Sequence, residues 1–112
     1  MASEAVGEAR AGLSEAIDSL ARASAGKDVW YHTWKAYSML EMSILTLKLL
    51  LGEDILLHQG RKERVEEEPA PLMTAAHDML SRGRTEEALA TMRRARDGLM
   101  TRMKKMQRDA RR

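Results

Sequence analysis

Three histidines, His32, His58 and His77, are the side chains in this sequence best suited to metal binding or acid–base work. A helical zinc site needs two ligands one turn apart on one face, as a His–His or His–carboxylate pair. Asp28 and His32 have that spacing, and so do Asp54 and His58. In a helical chain with 32% charged residues two such pairs are expected by chance. All three therefore read as surface or partly buried histidines with satisfied hydrogen bonds, and no metal or cofactor is expected. Cysteine is absent, which excludes disulfides, zinc thiolates and thiol catalysis. No nucleophile–base–orienter set can be assembled, and there is no GxSxG turn, phosphate loop or dinucleotide fingerprint. The sequence reads as that of a protein without enzymatic activity.

Two further groups of charges could do something other than solvate a surface. Glu41 and Lys48 interrupt the most apolar stretch, seven residues apart on one helix face. They read as charges facing solvent or pairing with another helix, such as the basic one near the C-terminus, rather than as a polar site within a core; long side chains also snorkel. The second group is the basic set Arg93, Arg94, Arg102, Lys104, Lys105, Arg108, Arg111 and Arg112. Such a stripe can neutralise several phosphates, and counterion release would make that binding steeply salt-dependent. Its bland counterpart is a solvated face with the cationic bias usual at helix C-termini. No aromatic residue is interleaved with it, so base stacking is not supported there. The net charge of +2 hides this asymmetry: residues 82–112 carry eleven Lys/Arg against four Asp/Glu, and residues 1–81 eight against thirteen. Opposite-signed halves point to complementarity within or between subunits, or to an anionic partner.

The elements that hold these residues are helical throughout. No stretch alternates with period two, and four stretches carry helical spacing. The expected fold is an all-α, antiparallel four-helix bundle in one domain, 1–112. The first helix is expected at about 3–25, with Ser3 as N-cap, Gly26 as stop, and Val6, Ala9, Leu13, Ala16, Ile17, Leu20 and Ser24 inward. Gly7 and Gly12 weaken it but would let a neighbour approach closely. The second, about 28–51 with a possible extension to 59, has Asp28 to cap it and Gly52 to end it. It contains every aromatic residue, Trp30, Tyr31, Trp34 and Tyr37, and is apolar on nearly all sides. That girth predicts a central helix buried on several sides. Residues 60–71, with two prolines, a glycine and a dense charge run, read as a loop.

The third helix is expected at about 70–82, with Leu72, Met73, Ala76, Met79 and Leu80 inward, and Gly83 breaking it. The fourth is expected at about 85–108, capped by Thr85, before a frayed basic tail at 109–112. Its seam runs Leu89, Met92, Arg96, Leu99, Met103, Met106, with Arg96 as the sole defect. Leu99, Met100, Met103 and Met106 extend beyond the span of the shorter third helix. They are the expected dimer surface.

The apolar run at 37–51 falls short of a membrane span because Glu41 and Lys48 lie inside it. The N-terminus has no basic segment followed by an apolar run and does not read as a signal peptide. With no cysteine, a cytoplasmic location is the expectation. Asn is absent and Arg and Glu are abundant, which points to a thermophilic source, although the nine methionines weigh against it.

The segment Trp30-Tyr31-His32-Thr33-Trp34-Lys35-Ala36-Tyr37, followed by Glu41 and by Leu45 to Gly52, resembles the second helix of HEPN-type four-helix domains. The likeness covers about a quarter of the chain. Catalytic members of that family use an Arg followed four to six residues later by His, and none of His32, His58 and His77 has such an Arg. The resemblance implies a noncatalytic member, of the kind that forms dimeric accessory or nucleic-acid-associated modules. Residues 75–98 resemble one tetratricopeptide-type hairpin, with Gly83, Ala88, Met92 and Ala95 at the turn, small, large and small positions and Met79 in the tyrosine's place. One hairpin is not a solenoid, so this implies antiparallel packing alone.

The functional expectation is a noncatalytic intracellular interaction or adaptor module. It is expected to be homodimeric and to dock through the basic helix at Arg93, Arg94, Arg102, Lys104, Lys105 and Arg108. The alternatives are an RNA- or DNA-binding protein, or a small helical subunit of a ribonucleoprotein assembly such as a CRISPR effector, using the same helix.

Overall fold

In the computed structural model, which describes residues 2–52 and 67–111, the chain forms a four-helix bundle. The helices are α1 (Ala2–Ser24), α2 (Val29–Leu51), α3 (Pro69–Ser81) and α4 (Thr85–Ala110), and no strand occurs among the described residues. α1 packs on α2 and α3 on α4 as antiparallel hairpins, and the hairpins join through α2 against α4 and α1 against α3. The order around the bundle is α2–α1–α3–α4, so each helix has two principal neighbours among the described residues.

The core follows the stripes. Ala9, Leu13, Ala16, Leu20 and Ala23 of α1 are buried; Ala23 takes the place expected for Ser24, which is exposed. Gly12 packs against α2, where an added Cβ would run into Ser43 Oγ. The second predicted close-approach glycine, Gly7, has no such neighbour. Met73, Ala76 and Leu80 of α3 meet Ala88, Leu89, Met92, Ala95 and Leu99 of α4 in the same core. Gly98 lets the start of α3 press onto α4: a Cβ there would lie 3.0 Å from the Glu67 carbonyl oxygen and 3.4 Å from Pro69 Cγ.

Several boundaries differ from expectation. α1 already includes Ser3, which therefore does not cap it. Asp28 occupies the N-cap of α2 with a left-handed backbone, φ 40°, and its side chain makes no capping bond. Its carbonyl instead accepts the His32 N–H at 3.0 Å. Residues 69–71, expected in a loop, open α3, because proline at the first helical positions forfeits no intrahelical hydrogen bond. Thr85 is the first residue of α4 rather than its cap, which is Arg84. α4 continues through Asp109 and Ala110, so that part of the expected tail is helical. The possible extension of the second helix to residue 59, and the rest of the charged loop, lie outside the described residues. Gly52 ends α2 as expected, at φ 70° with its N–H on the carbonyls of Lys48 and Leu49.

The largest correction concerns α2. It is not buried on several sides. It sits at a corner of the bundle, and its buried side carries Thr33, Ala36, Leu40, Ser43, Ile44, Leu47 and Lys48. The bulkiest residues point away from the core: Trp30, Tyr31, Trp34, Met42, Leu45 and Leu49 are all exposed.

Candidate functional site

Among the described residues, no group of three or more His, Asp or Glu is placed to hold a metal ion. His32 is half-buried, with its ring edge-on to Tyr31 at a centroid distance of 5.1 Å and Nδ1 buried without a hydrogen-bond partner. Asp28 meets it through backbone, as the helix turn requires, and not through the carboxylate. His77 is half-buried, and its carbonyl accepts the exposed Ser81 hydroxyl at 3.1 Å. His58 and Asp54 lie outside the described residues.

Glu41 and Lys48, the charges inside the apolar run at 37–51, have different fates. Glu41 faces α4, where Arg96 Nη1 donates to its Oε1 at 3.3 Å and Arg96 Nε donates to Asp97 Oδ1 at 3.2 Å. The single defect in the α4 seam thus meets the single acid in α2. Lys48 is 8% exposed and lines a shallow groove of about 250 Å3 with Glu41, Met42, Ile44, Leu45 and Arg96. Tyr37 lies beside the Glu41–Arg96 pair. Burial pushes its hydroxyl above the usual value of 10, the Glu41 charge pushes the same way, and Arg96 opposes them.

The basic helix is partly neutralised by the acidic segment before α3. Arg94 pairs with Glu67, and this carboxylate holds its guanidinium above the ordinary pKa. Arg102 Nη2 donates to Glu68 Oε2 at 2.7 Å. Arg93 is half-buried. The expected six-residue anionic-partner surface therefore contracts towards the end of α4, where Lys104, Lys105, Arg108 and Arg111 are exposed. Arg112 lies outside the described residues.

The expected dimer surface also moves. Leu99 has no exposed area and belongs to the core cluster that all four helices share. Met100, Met103 and Met106 are half-buried. The large apolar residues that do face outward lie on α2. Tyr31, Trp34, Met42, Leu45 and Leu49, at successive spacings of three, eight, three and four residues, form one stripe, broken only by the small Ser38. Tyr31 is 51% exposed, Trp34 49%, Met42 64% and Leu49 62%, with Trp30 beside them. A contiguous apolar patch of this kind on a single chain marks an interaction face. Sequence periodicity missed it because both sides of α2 are apolar. The signal available was residue size: Thr33, Ala36 and Ser43, together with Gly12 opposite, mark the side where two backbones close in.

The fold and its surfaces define a small all-α bundle with an exposed apolar face and a basic helix end. No helix among the described residues is long and apolar enough to cross a membrane. Comparison with protein-family models, with curated proteins and with solved structures finds no match.

Proposed function

We propose that this chain is a noncatalytic, homodimeric interaction module of the cytoplasm. Its subunits join through the exposed face of α2, and the free end of α4 serves as the docking surface for an anionic partner. The observation that carries this reading is the α2 face. Six large apolar side chains on or beside that face are each roughly half exposed. At on the order of 200 Å2 per side chain they present roughly 600 Å2 to water. Two copies would bury about 1,200 Å2, at the lower edge of the range of specific protein–protein interfaces. A second copy is the occupant this area fits, because the same face is present on every chain at equal concentration. The four-helix arrangement and the α2 sequence are the support for kinship with noncatalytic HEPN-like modules. Light scattering on the purified chain tests the dimer, and a monomer at tens of micromolar refutes it.

A second reading, nucleic-acid binding by the protein alone or within a ribonucleoprotein assembly, rests on the exposed Lys104, Lys105, Arg108 and Arg111. Four such contacts would give a log–log salt slope of about −3 to −4 on duplex DNA. Retention on heparin at low salt, lost on changing Lys104, Lys105 and Arg108 to glutamine, supports it. No retention at low salt removes it.

A further inference from the structure

The α2 stripe has a polarity that fixes how two copies can meet. It runs from Tyr31 to Leu49 with its midpoint at residue 40, a length of about 27 Å at 1.5 Å per residue. Its N-terminal half carries bulky aromatics, Tyr31 and Trp34; a small residue, Ser38, follows; its C-terminal half carries the flexible aliphatics Met42, Leu45 and Leu49. We infer that two copies of the chain pair through α2 in antiparallel orientation, about a two-fold axis near residue 40. This rests on the homodimer proposed above and specifies its geometry.

The argument is one of fit. In a parallel pair each position meets its own copy. Trp34 would crowd Trp34 at one level, and Ser38 would face Ser38 across a gap at the next. Close-packed interfaces penalise both the overpacking and the void. The antiparallel pair sets residues whose numbers sum to about 80 at the same level. Tyr31 then lies against the partner's Leu49, and Ser38 receives the partner's Met42. Every level combines a larger with a smaller or more adaptable side chain, and methionine is suited to filling such a gap. Opposed helix dipoles add a small favourable contribution.

The charges agree with this orientation. Glu41 lies on the side of α2 that faces α4, 3.3 Å from Arg96. An antiparallel two-fold brings like sides of the two helices together. The two copies would therefore meet beside the axis as two Glu41 carboxylates each already paired with its own Arg96, and not as two bare carboxylates. The same symmetry sets both α4 helices along one side of the α2 pair, with their basic ends pointing away from each other. The dimer would then offer an anionic partner two separated contacts on one face.

The chain has no cysteine, so introduced thiols are unique. The test uses the full chain with Tyr31→Cys and Leu49→Cys as separate variants, one carrying a size tag, each first checked by light scattering for mass and by circular dichroism for fold. Under mild oxidation an equimolar mixture is expected to form the mixed disulfide, while each variant alone does not. Same-position residues at the stripe ends would be about 27 Å apart along the antiparallel pair. A disulfide tolerates a Cα separation of only about 7 Å. Cross-linking of each variant with itself as readily as in the mixture overturns the antiparallel orientation but leaves the homodimer standing. A native dimer with no cross-link in any combination overturns α2 as the interface. A native monomer overturns the homodimer itself.

Discussion

Replacing Met42 and Leu49 together by glutamate separates the interaction face from the fold. Both side chains are more than 60% exposed, so the isolated bundle loses little when they change. Substitutions at such positions shift stability by about 0.5 kcal/mol or less. Their cost falls on association. Leu49 presents about 120 Å2 to water, which at ~25 cal/mol per Å2 corresponds to about 3 kcal/mol if fully covered by a partner. Each substitution occurs twice in a symmetric dimer, and an introduced carboxylate also resists burial. Area overstates affinity, but even 2 kcal/mol weakens association about thirtyfold. The variant is therefore expected to be a folded monomer at concentrations where the native chain is dimeric. Analytical ultracentrifugation gives the dissociation constant, and urea denaturation at concentrations below dimerisation gives the fold stability. The control is Leu40→Ala on the buried side of α2, expected to cost about 2–5 kcal/mol of fold stability. The reasoning is refuted if the double glutamate variant dimerises as tightly as the native chain. It is equally refuted if that variant unfolds as readily as Leu40→Ala, because the residues would then belong to the core.

Two further outcomes follow from single contacts. The raised pKa of Tyr37 means that above pH 10 the unfolded chain ionises this hydroxyl before the folded one does. Stability from this source is present below pH 10 and lost as pH rises through the folded value; Tyr37→Phe should flatten the alkaline fall, and an unchanged denaturation profile between pH 9 and 11 would contradict it. At Gly98 a side chain meets the Glu67 carbonyl and Pro69. Gly98→Val should therefore cost roughly 1–3 kcal/mol by urea denaturation despite relieving a mid-helix glycine. A stabilised variant would mean that the start of α3 yields freely.

The parts of this fold that were legible in the sequence are those where one face differs in polarity from the other. The alanine–leucine stripe of α1 and the Ala88, Met92 and Ala95 positions of α4 alternate with charged residues, and they are the buried ones. Gly26, Gly52 and Gly83 end helices with left-handed backbones that side chains disfavour, so the turns were readable too. α2 carried no such contrast. Its periodicity could not say which apolar side faced in, and the assumption that bulk implies burial placed it at the centre. Two principal neighbours cover only about half of a helix, and the small residues take that half because close approach requires them. Leu99 was misassigned for a related reason. The length of the third helix alone predicts it uncovered, yet Leu99 lies in the buried cluster that all four helices share. The Glu41–Arg96 contact was half legible, as two charges each out of place on an apolar seam. Lys48 was legible as an interruption, but its near-complete burial was not. The neutralisation of Arg94 and Arg102 depends on Glu67 and Glu68, 27 and 34 residues away in sequence, and no local pattern announces it.

Whether α2 is an interface is most directly tested by the mass of the purified native chain in solution. Size-exclusion chromatography with light scattering at tens of micromolar should return about 25 kDa, twice the 12.6 kDa of one chain. A mass of 12.6 kDa at that concentration would contradict the homodimer and leave the apolar face of α2 without the partner assigned to it.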